Sequence, residues 1–170
     1  ENTAAAIDAF RTAADLWHGS PASEHHINQA LALKNLALAY QQSGDLAHAQ
    51  AAIEQAIGLS EQTYGSDHSD IGRDAYLYAQ ILQAQGKLPE ALQQSQRALR
   101  IDRKVFGSRH PEVALALNNL GVIYAEMGEL AQARQCLQEA CAILSHCSDE
   151  YRPQREQAQH NLSSLDEATA

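Results

Sequence analysis

Aromatic side chains are scarce: one Trp, two Phe and six Tyr in 170 residues. With apolar residues at 45%, any core must be filled by aliphatic chains. Four Pro and nine Gly are too few for a disordered or fibrous chain. The three cysteines, Cys136, Cys141 and Cys147, are odd in number and confined to one stretch. That does not suggest a disulfide framework and makes reduced thiols and a cytoplasmic location the expectation. Basic residues number 12 against 21 acidic, a formal net charge of −9. Phosphate binding needs clustered Lys and Arg, so the chain is a poor candidate for a sequence-independent nucleic-acid binder. No apolar run approaches the roughly 18 residues that span a membrane. The first residues, Glu1-Asn2-Thr3, carry neither an initiator Met nor the charged and apolar regions of a signal peptide, so the chain reads as an excised fragment or a processed chain.

What is abundant is Ala, Leu and Gln, all helix formers. They recur with a period. Gly44, Gly86 and Gly128 stand 42 residues apart, and Gly65 and Gly107 keep the same interval. So do His26, His68 and His110, then Leu46, Leu88 and Leu130, Ala49, Ala91 and Ala133, and Ala56, Ala98 and Ala140. Each period reads as two amphipathic helices. Val113, Leu117, Leu120 and Tyr124 are three or four apart and make one face of a helix over 111–127. Pro111 suits its first turn and Gly128 a left-handed cap after it. Ala133, Leu137, Ala140, Ile143 and Leu144 make one face of the next helix, 130–146. The same register predicts helices near 24–43, 46–63, 67–85 and 88–105.

The ends fit the register as halves. Ile7, Ala14 and Trp17 stand 42 residues before Ala49, Ala56 and Leu59, so 2–18 reads as a second helix without its first. Pro153, Asn161 and Leu162 stand 42 after Pro111, Asn119 and Leu120, so 152–166 reads as a first helix without its second. The expected organisation is one domain, 1–170. It comprises a half-repeat (2–18), three repeats (24–66, 67–108, 109–150) and a closing half-repeat (152–166), about eight helices in all. Ile7, Phe10, Leu162 and Leu165 would then be partly uncovered, which points to end-to-end self-association.

The third repeat carries Leu117-x2-Leu120-Gly121-x2-Tyr124, then Ala133-x3-Leu137-x2-Ala140. The first carries Leu33-x2-Leu36-Ala37-x2-Tyr40, then Ala49-x3-Ile53-x2-Ala56. This pattern resembles the tetratricopeptide repeat. The period of 42, Asn118-Asn119-Leu120, and the turns Tyr64-Gly65-Ser66-Asp67-His68 and Phe106-Gly107-Ser108-Arg109-His110-Pro111 are similar to the longer, kinesin light-chain type. The resemblance implies an all-α, right-handed α-solenoid of stacked antiparallel helix pairs. Ala37, Ala79 and Gly121 would stand where helices approach closely, and the first helices would line a concave groove.

On that resemblance the groove is lined by Lys34, Asn35 and Leu38, by Arg73, Tyr76 and Gln80, by Asn118, Asn119 and Val122, and by Asn161. Asn35, Asn119 and Asn161 occupy equivalent places, as a ladder of amides that would bond an extended peptide backbone. An amide suits this because it both donates and accepts. Leu77 interrupts the ladder. A clamp for a C-terminal carboxylate is not expected, because Leu38, Leu77 and Leu115 stand where polar clamp residues would be needed. The implied function is a non-catalytic scaffold that binds a protein or peptide segment. The alternative is a sensor, architectural or self-association module of a larger signalling protein.

Other candidate sites have simpler readings. Cys136-x4-Cys141-x5-Cys147 spreads its thiols round a helix, unlike the close pairs of zinc sites, so no metal or cofactor is expected. His26, His68 and His110 point to a turn or capping role, and Trp17 to the core. No nucleophilic triad, phosphate loop or paired-carboxylate motif can be placed, so no enzyme is expected.

Overall fold

A computed structural model of the chain describes residues 2–16 and 23–168. Trp17 and the last residues of the expected 2–18 half-repeat lie outside them. The described residues form eight α-helices and no strand: α1 (Asn2–Leu16), α2 (Ser23–Ser43), α3 (Leu46–Tyr64), α4 (Ser69–Ala84), α5 (Leu88–Phe106), α6 (Pro111–Glu126), α7 (Leu130–Ser145) and α8 (Arg152–Ala168). One 3-10 turn, Asp149–Tyr151, was not foreseen and leads into α8. The fold class is the expected one, all-α and built of antiparallel helix hairpins, and the helix limits follow the 42-residue register to within a few residues.

The turns show why the register is so legible. Gly44, Gly86 and Gly128 have φ of +82°, +75° and +80°. Each ends its helix in a left-handed conformation that a side chain would disfavour. The residue after each glycine closes the turn: Asp45 N–H donates to the Tyr40 carbonyl at 2.9 Å, Lys87 to Leu82 at 2.9 Å and Glu129 to Tyr124 at 2.8 Å. Gly65 and Gly107 are likewise left-handed. Beyond them His68 and His110 cap α4 and α6, each ring Nδ1 accepting from the N–H two residues on, at 3.3 Å. Each imidazole also stacks on the ring that ends the preceding helix, Tyr64 or Phe106, with centroids 4.5 Å apart. The capping role expected for His68 and His110 is therefore observed. His26 differs: it lies inside α2. The position equivalent to Gly65 is Ser23, and with no glycine to break the helix, α2 begins one turn earlier.

The helices group into two compact units, α1–α4 ending at Lys87 and α5–α8 beginning at Leu88. In the first, α2 is flanked by α1 and α3. It therefore buries most of its circumference, with Ala32, Leu33, Leu36, Ala37 and Tyr40 in the core beside Ala49, Ile53 and Ala56 of α3 and Ile81 of α4. Ile7 and Phe10 of α1 pack half-buried against it. In the second unit Val113, Leu117 and Leu120 of α6 meet Ala140, Ile143 and Leu144 of α7, Leu99 of α5 and Ala158 of α8. Gly121 lets α6 and α7 close up: a Cβ there would stand 2.7 Å from Leu137 Cγ and 3.2 Å from the Ala133 carbonyl oxygen.

The closing half-repeat corrects one expectation. Leu165, expected to be uncovered, is buried with Ala133 and Leu137, and Leu162 is half-buried beside it. The end of α7 has no glycine. Instead Arg155 of α8 reaches back, its Nε donating to the Leu144 carbonyl at 3.0 Å and one terminal nitrogen to Cys147 at 2.9 Å. No helix among the described residues is long and apolar enough to cross a membrane.

Candidate functional site

The expected site residues lie on α2 and α4 in the first unit and on α6 and α8 in the second. In the first unit, a cavity of about 300 Å³ lies between α1 and α2. Asn35, Leu38 and Gln42 of α2 face Thr3, Ala6 and Phe10 of α1 across it. Leu38 is 38% exposed, and Leu31, two turns earlier on the same helix, is 50% exposed. The cavity offers an amide, an aliphatic wall and an aromatic edge, a mixture that suits a partner's side chain.

A second cavity of about 290 Å³ opens one turn away, between α2, the end of α3 and the start of α4. Lys34 and Leu31 of α2, Ser60 and Tyr64 of α3, and Asp70, Arg73 and Asp74 of α4 line it. Arg73 reaches Asp70 at 3.2 Å. The Lys34 ammonium stands 3.6 Å from Asp74 Oδ1. Asp74 is only 2% exposed. Burial pushes its carboxyl above the ordinary range, an effect that Lys34 and the Ser60 hydroxyl bond partly oppose and neighbouring Asp70 reinforces. Further along α4, Tyr76 and Gln80 are half-buried.

In the second unit the amides do not form the expected ladder. Asn119 is buried at 7% exposure, and its Nδ2 donates to Ser95 Oγ on α5 at 2.9 Å. It serves the packing of α5 on α6 and is not presented to a partner. The helix register explains this: Asn119 lies beside Leu120 on the α5-facing side, while its neighbour Asn118 turns the other way. Asn118 Oδ1 accepts from Asn161 Nδ2 of α8 at 2.9 Å, and Gln157 in turn donates to Asn161 at 2.9 Å. Asn118, Asn161 and Val122 are half-buried. A larger cavity of about 550 Å³ sits at the far end of α7, lined by Ser108, Arg109, Glu139, Ala142, Ile143 and His146, none of them among the expected groove residues.

The three thiols are free and half-buried, and Cys136 lines a cavity of about 220 Å³ with Arg103 and Glu139. Burial raises Cys136 and Cys141 above the usual thiol range. Among the described residues no three His, Cys, Asp or Glu side chains are grouped to hold a metal.

The residue that sequence reasoning missed is Asp74. The signal was in the register: the equivalent positions are Ala32, Ala116 and Ala158, so the acid replaces an alanine.

Comparison with known proteins agrees with this architecture. A family model described as tetratricopeptide repeat matches residues 29–104 and again 70–146. No curated protein matches the chain. Among solved structures, BtubC (BKLC) from P. vanneervenii superposes with a TM-score of 0.82 at 20% identity, over 95% of this chain and 66% of that one. A putative kinesin light chain of Podosopora anserina, with nearly identical TPR-like repeats, gives a TM-score of 0.80 at 24% identity, over 98% and 79%. The apo form of RapI gives 0.83 at 18% identity, over 99% of this chain and 58% of that protein. The chain thus spans about two thirds or less of BtubC and RapI.

Proposed function

Because the chain belongs to the tetratricopeptide repeat family, whose fold serves protein–protein interaction, we propose that it is a non-catalytic scaffold binding a segment of a partner protein along its first helices. The observation that carries this reading is the α1–α2 cavity, where Asn35 and the exposed Leu38 line a preformed space. A preformed surface pays little ordering cost when a partner docks. Lys34, Arg73, Tyr76 and Gln80 extend that surface in the first unit, and Asn118, Val122 and Asn161 supply one in the second. Asn119 has no part in it. Self-association through the ends is the weaker element of the reading, since α8 seats Leu165 in the core.

The test is calorimetry with a peptide selected on the full chain from a random phage-displayed library. Asn35→Ala with Leu38→Glu should weaken binding by roughly tenfold or more, the loss of one hydrogen bond and one apolar contact. Glu90→Ala, on the exposed side of α5, should leave affinity unchanged. The reverse pattern would move the working surface to the second helices.

A further inference from the structure

The second cavity of the first unit holds a charge that the fold does not need. Four equivalent positions of the repeat are Ala32, Asp74, Ala116 and Ala158, all buried. Three of the four are filled by a methyl group, so packing at this place asks for a small apolar side chain. A buried carboxylate there costs desolvation. The pairing that should offset it is incomplete. Ser60 bonds the carboxylate, and Lys34 reaches Oδ1 only by a long ion-pair contact of 3.6 Å, beyond ordinary hydrogen-bond length, so Oδ1 lacks a full donor. A buried acceptor without its donor is a defect in a scaffold and a binding feature in a site.

The chemistry of the cavity selects the ligand. Lys34 and Arg73 balance Asp70 and Asp74, so a charged newcomer would meet one like charge for each opposite one. What the cavity lacks is a donor for Asp74 Oδ1. What it offers besides is the Lys34 ammonium, whose side chain is a quarter exposed and keeps donors to spare. A neutral group that donates and accepts within one plane satisfies both. We propose that the Lys34–Asp74 cavity is a subsite for a carboxamide: N–H to Asp74 Oδ1, C=O to the Lys34 ammonium. That carboxamide is the side chain of a partner's Asn or Gln, or a peptide unit of its backbone. Leu31 and Tyr64 give the apolar walls. Oδ1 is itself closed to solvent, so the ligand must displace the Lys34 side chain to reach it. The subsite rests on the scaffold reading above and names the chemistry that one part of the surface recognises.

Two measurements test it on the full chain. The first needs no ligand. If Asp74 serves binding at the expense of the fold, Asp74→Ala restores the residue of the other repeats and raises the thermal midpoint, by about 2–4 °C. An unchanged or lower midpoint makes Asp74 a structural residue and overturns the proposal. The second uses the library-selected peptide. Asp74→Ala should lose roughly tenfold or more in affinity, whereas Asp74→Asn, which keeps an acceptor oxygen, should stay within about threefold of wild type. An Asn or Gln fixed at one peptide position identifies a side-chain amide. Tolerance of every side chain, with loss on N-methylation of one peptide bond, identifies the backbone. A fixed Lys or Arg, with Asp74→Asn as damaging as Asp74→Ala, would make this a cation site and overturn the assignment. If Asp74→Ala binds normally while Leu38→Glu does not, the subsite fails and the scaffold reading stands. If the library yields no peptide, the scaffold reading fails and the subsite with it.

Discussion

Asn119 and Asp74 are both polar residues on first helices, yet the structure gives them opposite meanings. Asn119 is spent on Ser95 inside the second unit, so removing either partner strands the other. Asn119→Ala or Ser95→Ala should each cost about 1–3 kcal/mol in urea denaturation, and the double mutant should cost less than their sum. Additive losses would mean the two do not interact. Asp74 carries the opposite sign. Its carboxyl is raised above the ordinary value of 3.8, so between that value and the raised one the native chain holds a proton the unfolded chain releases. Stability from this group therefore falls as pH rises through that window. The gain from Asp74→Ala should be full at neutral pH and vanish in acid below the ordinary value, as melts across pH will report. At Gly121 the constraint is space: Gly121→Val must push Leu137 and the Ala133 carbonyl aside. It should cost about 1–3 kcal/mol or more.

Helices and their turns were the most legible level, because each turn states its requirement in one residue. Glycine at a left-handed φ and histidine two residues before a free N–H can be read without any tertiary knowledge. That is why helix limits came out close while side-chain directions did not. Asn118 and Asn119 are adjacent in sequence and lie about 100° apart round the helix, so a small error in assigning the face exchanges their roles. The resemblance placed both in the groove, and only packing against Ser95 separated them. The caps give a clean test. His110→Ala should cost about 0.5–2 kcal/mol, and His110→Asn, whose side chain can accept the same N–H, should recover most of it. At the start of α3, Asp45 is held below its usual carboxylate range, first by the His48 N–H and then by its ring. Its contribution is present above the ordinary value and lost as pH falls through the lowered one. Asp45→Ala should therefore matter less in acid than at neutral pH.

The whole chain divides where the sequence shows no break. The boundary between Lys87 and Leu88 falls inside the second repeat, where α5 begins, and the 42-residue register runs across it unchanged. Periodicity reports which residues are equivalent, not how many neighbours each helix collects, so the division was not legible. Each unit has its own buried cluster. Expressed separately, 1–87 and 88–170 should each give a helical far-UV spectrum and a cooperative melt. Their short cores will leave both marginal. A featureless spectrum from either would show that its cluster cannot sustain a fold alone.

The Arg155 contacts bear on how such a chain can grow. Where a helix ends on glycine, the module closes itself using only its own backbone, and copies could be inserted or excised at that joint without disturbing the helix left behind. α7 ends differently: its last carbonyls are capped by a side chain borrowed from α8. Cutting the chain after residue 150 removes the cap as well as the helix. The glycine joints are therefore portable seams, whereas the α7–α8 joint is a lock that ties the two helices to each other as one inseparable part.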